Sequence, residues 1–251
     1  EYGLLKEAQW SDKYQDIIQK IKPSVCHIYL FVNLKGTPSE LKLRSSNIWV
    51  WTEQDYDAMM YKFNKDPFSA PMPFFMGFSC AKDDSWETRF PGKSNAIILT
   101  MGSYEMFEQW KDEKCTSRNP QYKELKEKFA QRILEEGLFR FYPHLRDKVE
   151  SYDVGTPLST QFYLNAARGE SYGLESNTYR YLKAFHLRPE TNLKNFYLTG
   201  QDVCTLGFTG ALMSGILTAH SMLGYGTLMD LITKRNLVDD FINYHSQISN
   251  L

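Results

Sequence analysis

Residues 195–215 read NFYLTGQDVCTLGFTGALMSG, a short apolar run, a glycine, an acid, and then a succession of small residues. FYLT, residues 196–199, has the texture of a strand covered on both faces. Gly200 permits a turn in which the backbone closes against a neighbour, because it has no Cβ to clash. Asp202 then stands just beyond the strand's carboxyl end, where ligands sit in open α/β sheets, and its carboxylate suits a ribose or ribityl hydroxyl. After Gly207, the run Phe208, Thr209, Gly210, Ala211 opens a helix. The first amides of a helix lack internal partners and its dipole is positive there, so this end stabilises electron-rich oxygens. Gly210, Ala211, Ser214 and Gly215 leave one side of the first turns open to a flat ring or to another backbone. The same letters also suit tight strand-to-helix packing with no ligand.

Outward from this turn, strands and helices alternate. Residues 25–34 (VCHIYLFVNL) are rich in β-branched and aromatic side chains and stop at Lys35-Gly36, which marks a strand. Residues 47–51, 74–81 and 95–102 repeat that texture. Residues 11–21 carry apolar side chains at helical spacing behind Ser11, a suitable N-cap. The clearest helix is expected over residues 119–137. Asn119 caps it, Pro120 occupies the first turn, and Leu125, Phe129, Ile133 and Leu134 form an apolar stripe that ends at Gly137. A second region opens near Val154. There is no internal repeat or low-complexity tract.

The formal net charge is −1 over 251 residues, which gives no electrostatic hold on nucleic acid or an anionic membrane. Aromatics make up 15% of the chain, fitting a dense core or an apolar cavity. Cys26, Cys80, Cys115 and Cys204 are scattered, with no Cys-x-x-Cys, so reduced and mostly packed thiols are expected and no zinc site. The histidines show no metal-ligand or triad spacing, and no Gly-x-Ser-x-Gly elbow supports hydrolysis. Residues 1–10 (EYGLLKEAQW) hold no initiator methionine and no targeting pattern, so the chain is expected to be cut from something longer. Residues 210–232 are long enough for a membrane span, but His220, Ser221, Gly224, Gly226 and Asp230 interrupt them. A buried helix of a soluble domain is expected instead.

LTGQDVCTLGFTGALMSG (198–215) resembles the C-terminal flavin-binding segment of the FAD-dependent amine oxidase and phytoene desaturase superfamily. AARGESYGLESN (166–177), FHLRPETNLKNFYLTGQD (185–202) and SCAKDDSWETRFPGKSNAIILT (79–100) bring it nearest to the branch that reduces or isomerises retinoid and carotenoid polyenes. The Gly-x-Asp turn is shared across the superfamily, and the Arg-Gly-Glu-x-Tyr-Gly run is the more specific part. Members begin with a G-x-G-x-x-G turn that holds the FAD pyrophosphate. The nearest string here, residues 224–229, lacks the third glycine and ends a helix rather than following a strand. The resemblance therefore implies the C-terminal part of such a protein.

The implied fold is mixed α/β (α+β). A substrate domain of mixed or antiparallel sheet with helices spans 1–165. The closing strand and helix of a Rossmann-like FAD-binding domain span 166–232, and a helical tail spans 233–251. The implied activity is FAD-dependent saturation of a C=C bond in a small apolar polyene, retinol or a related compound, with NAD or NADP a candidate electron source. The implied setting is the endoplasmic-reticulum membrane, through peripheral contact. By resemblance, Gly200 and Asp202 lie beside the ribityl chain, Gln201 between them fills a position where the superfamily varies, and Phe208, Thr209, Gly210 and Ala211 lie below the isoalloxazine. Trp49, Trp51, Phe75 and Phe78 are candidates for lining a dry substrate tunnel, since only one face of each strand can point inward. Tyr172 is the candidate substrate contact and proton donor. Its neighbours Arg168 and Glu170 equally suit a surface ion pair. Two other readings stay open: a carotenoid isomerase or desaturase acting on a longer polyene, and a flavin-free protein that binds lipid or a partner.

Overall fold

Ten residues, Cys26–Lys35, form strand β1 and alternate without a break. Ile28, Leu30, Val32 and Leu34 are buried, while His27, Tyr29, Phe31 and Asn33 lie on the opposite face, as the period of two requires. In this computed structural model, which describes residues 20–183, 187–191, 193–224 and 233, β1 pairs antiparallel along its whole length with β4 (Lys93–Gly102). Its other edge takes β5 (Val149–Gly155). Beyond β4 come β3 (Phe74–Gly77) and β2 (Ile48–Val50), so the antiparallel order is β2-β3-β4-β1-β5. The fold is mixed α/β, as expected. The chain divides into two compact units, Val25–Ser171 and Glu1–Ser24 with Tyr172–Leu251, and the sheet belongs to the first.

One face of the sheet is closed by helices. In α1 (Tyr56–Lys65), capped by Asp55 accepting the Ala58 N–H at 2.9 Å, Met59 and Phe63 are buried. In α2 (Pro120–Arg132) the Asn119 side chain accepts the Tyr122 N–H at 3.0 Å and Pro120 fills the first turn. The expected stop at Gly137 does not occur. The helix widens into a π-helical turn, Ile133–Leu138, and continues through Phe139–Phe141. A π-turn takes in one more residue than an α-turn, which lets Ile133, Leu134 and Leu138 all be buried. Gly137 is not required for close approach: a Cβ on it would stand in ordinary contact, 3.7 Å from Ile98 and 3.8 Å from Phe74. Strand β5 and the helix after it, α3 (Pro157–Leu164), escape the sequence pattern. The strand is at the sheet's edge and largely exposed, and the helix starts at a Thr156–Ser159 capping box instead of the usual Ser/Thr-x-x-Glu.

The second unit has a small core of Ile21 with Leu174, Tyr179 and Leu187. Its helices are α4 (Thr178–Lys183) and α5 (Gly207–Leu223). The strand expected at 196–199 is reduced to a Glu190–Tyr197 bridge, with the Leu198 N–H donated to Pro189 O at 2.8 Å. Among the described residues it finds too short a partner to build a ladder. Nor is α5 the buried helix expected: only Gly210 and Ser214 are buried, while Phe208 is 83% and Leu223 77% exposed. The reason is the stripe Gly210, Ser214, Thr218. Ser214 meets the Thr199 hydroxyl at 3.4 Å and Thr218 donates to Leu198 O at 2.9 Å, so small residues take the packed face and large ones point away. No helix among the described residues is long and apolar enough to cross a membrane. The helix expected at 11–21 lies outside the described residues but for its last two positions. So do residues 225–232 and, Thr233 apart, the tail 233–251.

Candidate functional site

In the second unit, three short segments converge: 172–174, 200–202 and the start of α5. Gly200 has φ +98° with open space where a Cβ would stand, so the turn needs glycine for its dihedral and not for a close neighbour. Asp202 directs Oδ1 at the Leu174 N–H, 2.7 Å away. Gly173, at φ +62°, makes room for that carboxylate, since a Cβ there would collide with Oδ1. Gln201 crosses to the helix. Its Oε1 accepts the Gly207 N–H at 3.0 Å, supplying the cap that Leu206 cannot. The Tyr172 ring lies 3.8 Å from where a Gly207 Cβ would be, so the candidate proton donor stands beside the helix start.

Arg180 ties these segments together. It is 4% exposed, and its guanidinium donates to Leu174 O at 2.7 Å, Gln201 O at 2.8 Å and Asp202 O at 3.0 Å. Its own N–H is capped by Asn177 Oδ1 at 2.8 Å. A planar fork of donors suits three carbonyls that a single ammonium could not reach together. No sequence motif singles this arginine out from its exposed counterparts.

The residues fit part of a flavin's surface. Asp202 Oδ2 makes no hydrogen bond among the described residues, leaving a charged acceptor for a ribityl hydroxyl. Beyond the Gly207 N–H taken by Gln201, the first turn of α5 has no side-chain cap at Leu206, and Phe208, Thr209 and Ala211 are exposed, so the following amides lie at the surface, where the helix dipole suits an anionic edge. Gly210 serves the loop and not the ring. A Cβ on it would run into Thr205 O. The cleft beside Asp202, lined also by Arg180, Tyr181 and Arg188, holds 220 Å³. That is below the roughly 300 Å³ of ordinary small-molecule sites, too small for a tricyclic ring.

In the first unit, Arg168 and Glu170 do not pair with each other. Glu170 accepts the Ala167 and Arg168 N–H groups at 3.0 and 2.8 Å, and the Arg168 guanidinium reaches Glu105 at 2.5 Å. The sheet face opposite the helices carries an apolar row in register: Trp49 opposite Phe75, Phe75 opposite Leu99, Leu99 opposite Tyr29. Trp49 meets Phe75 edge-on at 4.7 Å and stacks with Trp51 at 6.1 Å. Trp49 is 59% and Trp51 50% exposed. Phe78 lies elsewhere, fully buried in the core with its ring 5.0 Å from Tyr142.

At the end of that row stands a polar group the sequence does not announce. Tyr29 Oη lies 2.8 Å from Ser171 Oγ, which lies 2.7 Å from His27 Nδ1. His27 and Tyr29 share a face because they are two apart on β1. Burial pushes the imidazole down to about 4, so it is neutral at pH 7. The unfolded chain has the ordinary value near 6.5 and takes up a proton that the folded chain refuses. Stability is therefore full above pH 6.5 and falls as pH drops toward 4, by up to about 3 kcal/mol. His27→Gln is expected to flatten that part of the curve in urea melts at pH 7 and pH 4.5. An equal pH slope in both proteins would contradict it. Nearby, burial and then the Glu170 and Glu105 charges push the Cys26 thiol up to about 11, leaving it un-ionised and unreactive.

No protein-family model matches the chain. It is 36% identical over 229 residues to "All-trans-retinol 13,14-reductase" of Danio rerio, covering 89% of this chain and 37% of that protein. It is 36% identical over 235 residues to the protein of the same name from Homo sapiens, covering 91% and 37%. "Inactive all-trans-retinol 13,14-reductase" of Danio rerio is 30% identical over 242 residues, covering 92% and 39%. The chain spans less than two-fifths of the length of these curated relatives. Across about nine-tenths of its own length, this chain is thus similar to part of the all-trans-retinol 13,14-reductases.

Proposed function

We propose that this chain is the C-terminal part of an FAD-dependent oxidoreductase that saturates one C=C bond of a retinoid polyene. The observation that carries the reading is its 36% identity, along most of its length, to proteins named for that reaction. Those relatives are longer, the chain spanning 37% of each. Asp202 would hold a ribityl hydroxyl through Oδ2, and the Phe208 and Thr209 amides would face the ring's electron-rich edge. The Arg180 clamp keeps both in place before any ligand arrives, which is how a site avoids reorganisation on binding. Bound and reduced, the flavin supplies hydride to one carbon of the double bond.

The chain's own residues supply the rest. The outer row Trp49, Phe75, Leu99 would offer a flat apolar wall to a polyene. At the row's end, the Tyr29 hydroxyl, linked through Ser171 to His27, would offer a proton to a polyene lying along that row. On this account Tyr29→Phe lowers kcat about 10- to 100-fold and leaves retinol binding within about twofold. Stopped-flow and binding titrations read the two separately, and a variant with unchanged kcat would remove Tyr29 from the reaction. The reading as a whole is tested on the complete gene product, purified and incubated anaerobically with FAD, a reductant and all-trans-retinol. A product heavier by two hydrogens is expected. Holoprotein that leaves retinol unchanged would overturn the proposal.

A further inference from the structure

We infer that the cleft along β5 and α3 is a binding site for an apolar carboxylate, with Arg118 as its anion contact. It goes beyond the flavin reaction and does not depend on it. Arg118 is only 6% exposed, and no carboxylate pairs with it among the described residues. Its Nη1 donates to Tyr122 Oη at 3.2 Å and lies 3.8 Å from Cys115 Sγ, and its guanidinium carbon sits 4.9 Å from the Tyr122 ring centre. Its Nε is buried with no hydrogen-bond partner. A buried cation with an unfilled donor and no counter-charge is costly, and an anion brought to it would recover that cost. The Tyr122 ring and hydroxyl fix the guanidinium in advance.

Arg118 lines a cleft of 430 Å³, within the range of about 300–1,000 Å³ usual for small-molecule sites. The wall around it is apolar. Phe31, Tyr163 and Leu164 line it while 47%, 73% and 75% exposed, surface that a ligand would cover. Lys126 and Asp153, also in the lining, pair with each other at 3.3 Å and cancel, so Arg118 sets the net charge. The Ser159 and Thr160 hydroxyls in the lining are taken up by Thr156 at the start of α3, which leaves Arg118 as the anion contact. One guanidinium among hydrocarbon walls suits a singly charged carboxylate on an apolar body. A phosphate, with more charge and a tighter hydration shell, would call for several cations.

The test is titration of the complete gene product with decanoate and with decanol, followed by calorimetry. Decanoate is expected to bind with a Kd below about 1 mM and decanol at least about tenfold more weakly. Arg118→Gln should bring the acid down to the alcohol's affinity. Leu164→Asp, at an exposed wall position with no core role, should weaken decanoate by about tenfold through charge repulsion. Should Arg118→Gln fail to fold, the wild-type preference and Leu164→Asp decide. Wild-type protein that binds the acid no tighter than the alcohol, or acid binding untouched by both folded variants, would overturn the inference.

Discussion

Arg180→Met is expected to loosen the whole 172–174 and 200–207 assembly and to strip flavin from the complete gene product. The guanidinium donates to three carbonyls on two segments that are far apart in sequence, and at 4% exposure water cannot simply replace it. Charge-assisted bonds of this kind contribute about 1.5–3 kcal/mol each in isolation. Their loss together, after relaxation, should cost about 3 kcal/mol. In a chain of this size that corresponds to a drop of roughly 6–12 °C in Tm. Arg180→Lys keeps the charge but not the fork, and should recover less than half of the loss. Thermal melts and the ratio of flavin to protein absorbance after gel filtration check both. Unchanged values for Arg180→Met would mean that the turn needs no clamp.

The second large effect concerns Gly210, where two accounts give different orders of severity. If Gly210 merely leaves room for a ring, alanine should be mild and valine severe. In the structure the obstruction is Thr205 O, against which even a bare Cβ would overlap. Gly210→Ala is therefore expected to be almost as damaging as Gly210→Val. Each should cost about 4 kcal/mol or more, because the loop before α5 or the helix's first turn must move. Soluble yield and Tm of the two variants, measured side by side, read this directly. A near-neutral alanine with a severe valine would restore the ring-room account.

Much of the sheet was legible in the letters. Richness in β-branched and aromatic side chains marked β1 and β4, and the structure buries one face of each, which fixes their register. The Asn119-Pro120 start marked α2 for the same local reason that caps mark helices anywhere. What failed was whatever depends on partners distant in sequence. The π-turn at Ile133–Leu138 buries Ile133, Leu134 and Leu138 together, and FYLT lacks a ladder because its neighbours among the described residues do not supply one. In the site, Gly200, Asp202 and Gly207 were readable as a turn and a helix start. Gly173 was not, since its reason is an aspartate 29 positions later that needs the space above it. A buried arginine has the same letter as an exposed one, so Arg118 and Arg180 emerge only from burial. Likewise the Tyr29–Ser171–His27 chain exists only once β1 and the segment after α3 are brought side by side.

Asp202→Asn tests the central claim most directly. The amide oxygen still accepts the Leu174 N–H, so the fold is kept, while the charge offered to a ribityl hydroxyl is removed. Flavin's visible absorbance is expected to travel with the wild-type gene product and to weaken in the variant, with at least about a tenfold loss of FAD affinity at unchanged Tm. Wild-type protein that stays colourless in excess FAD, or a variant that holds flavin as tightly as the wild type, would contradict the account.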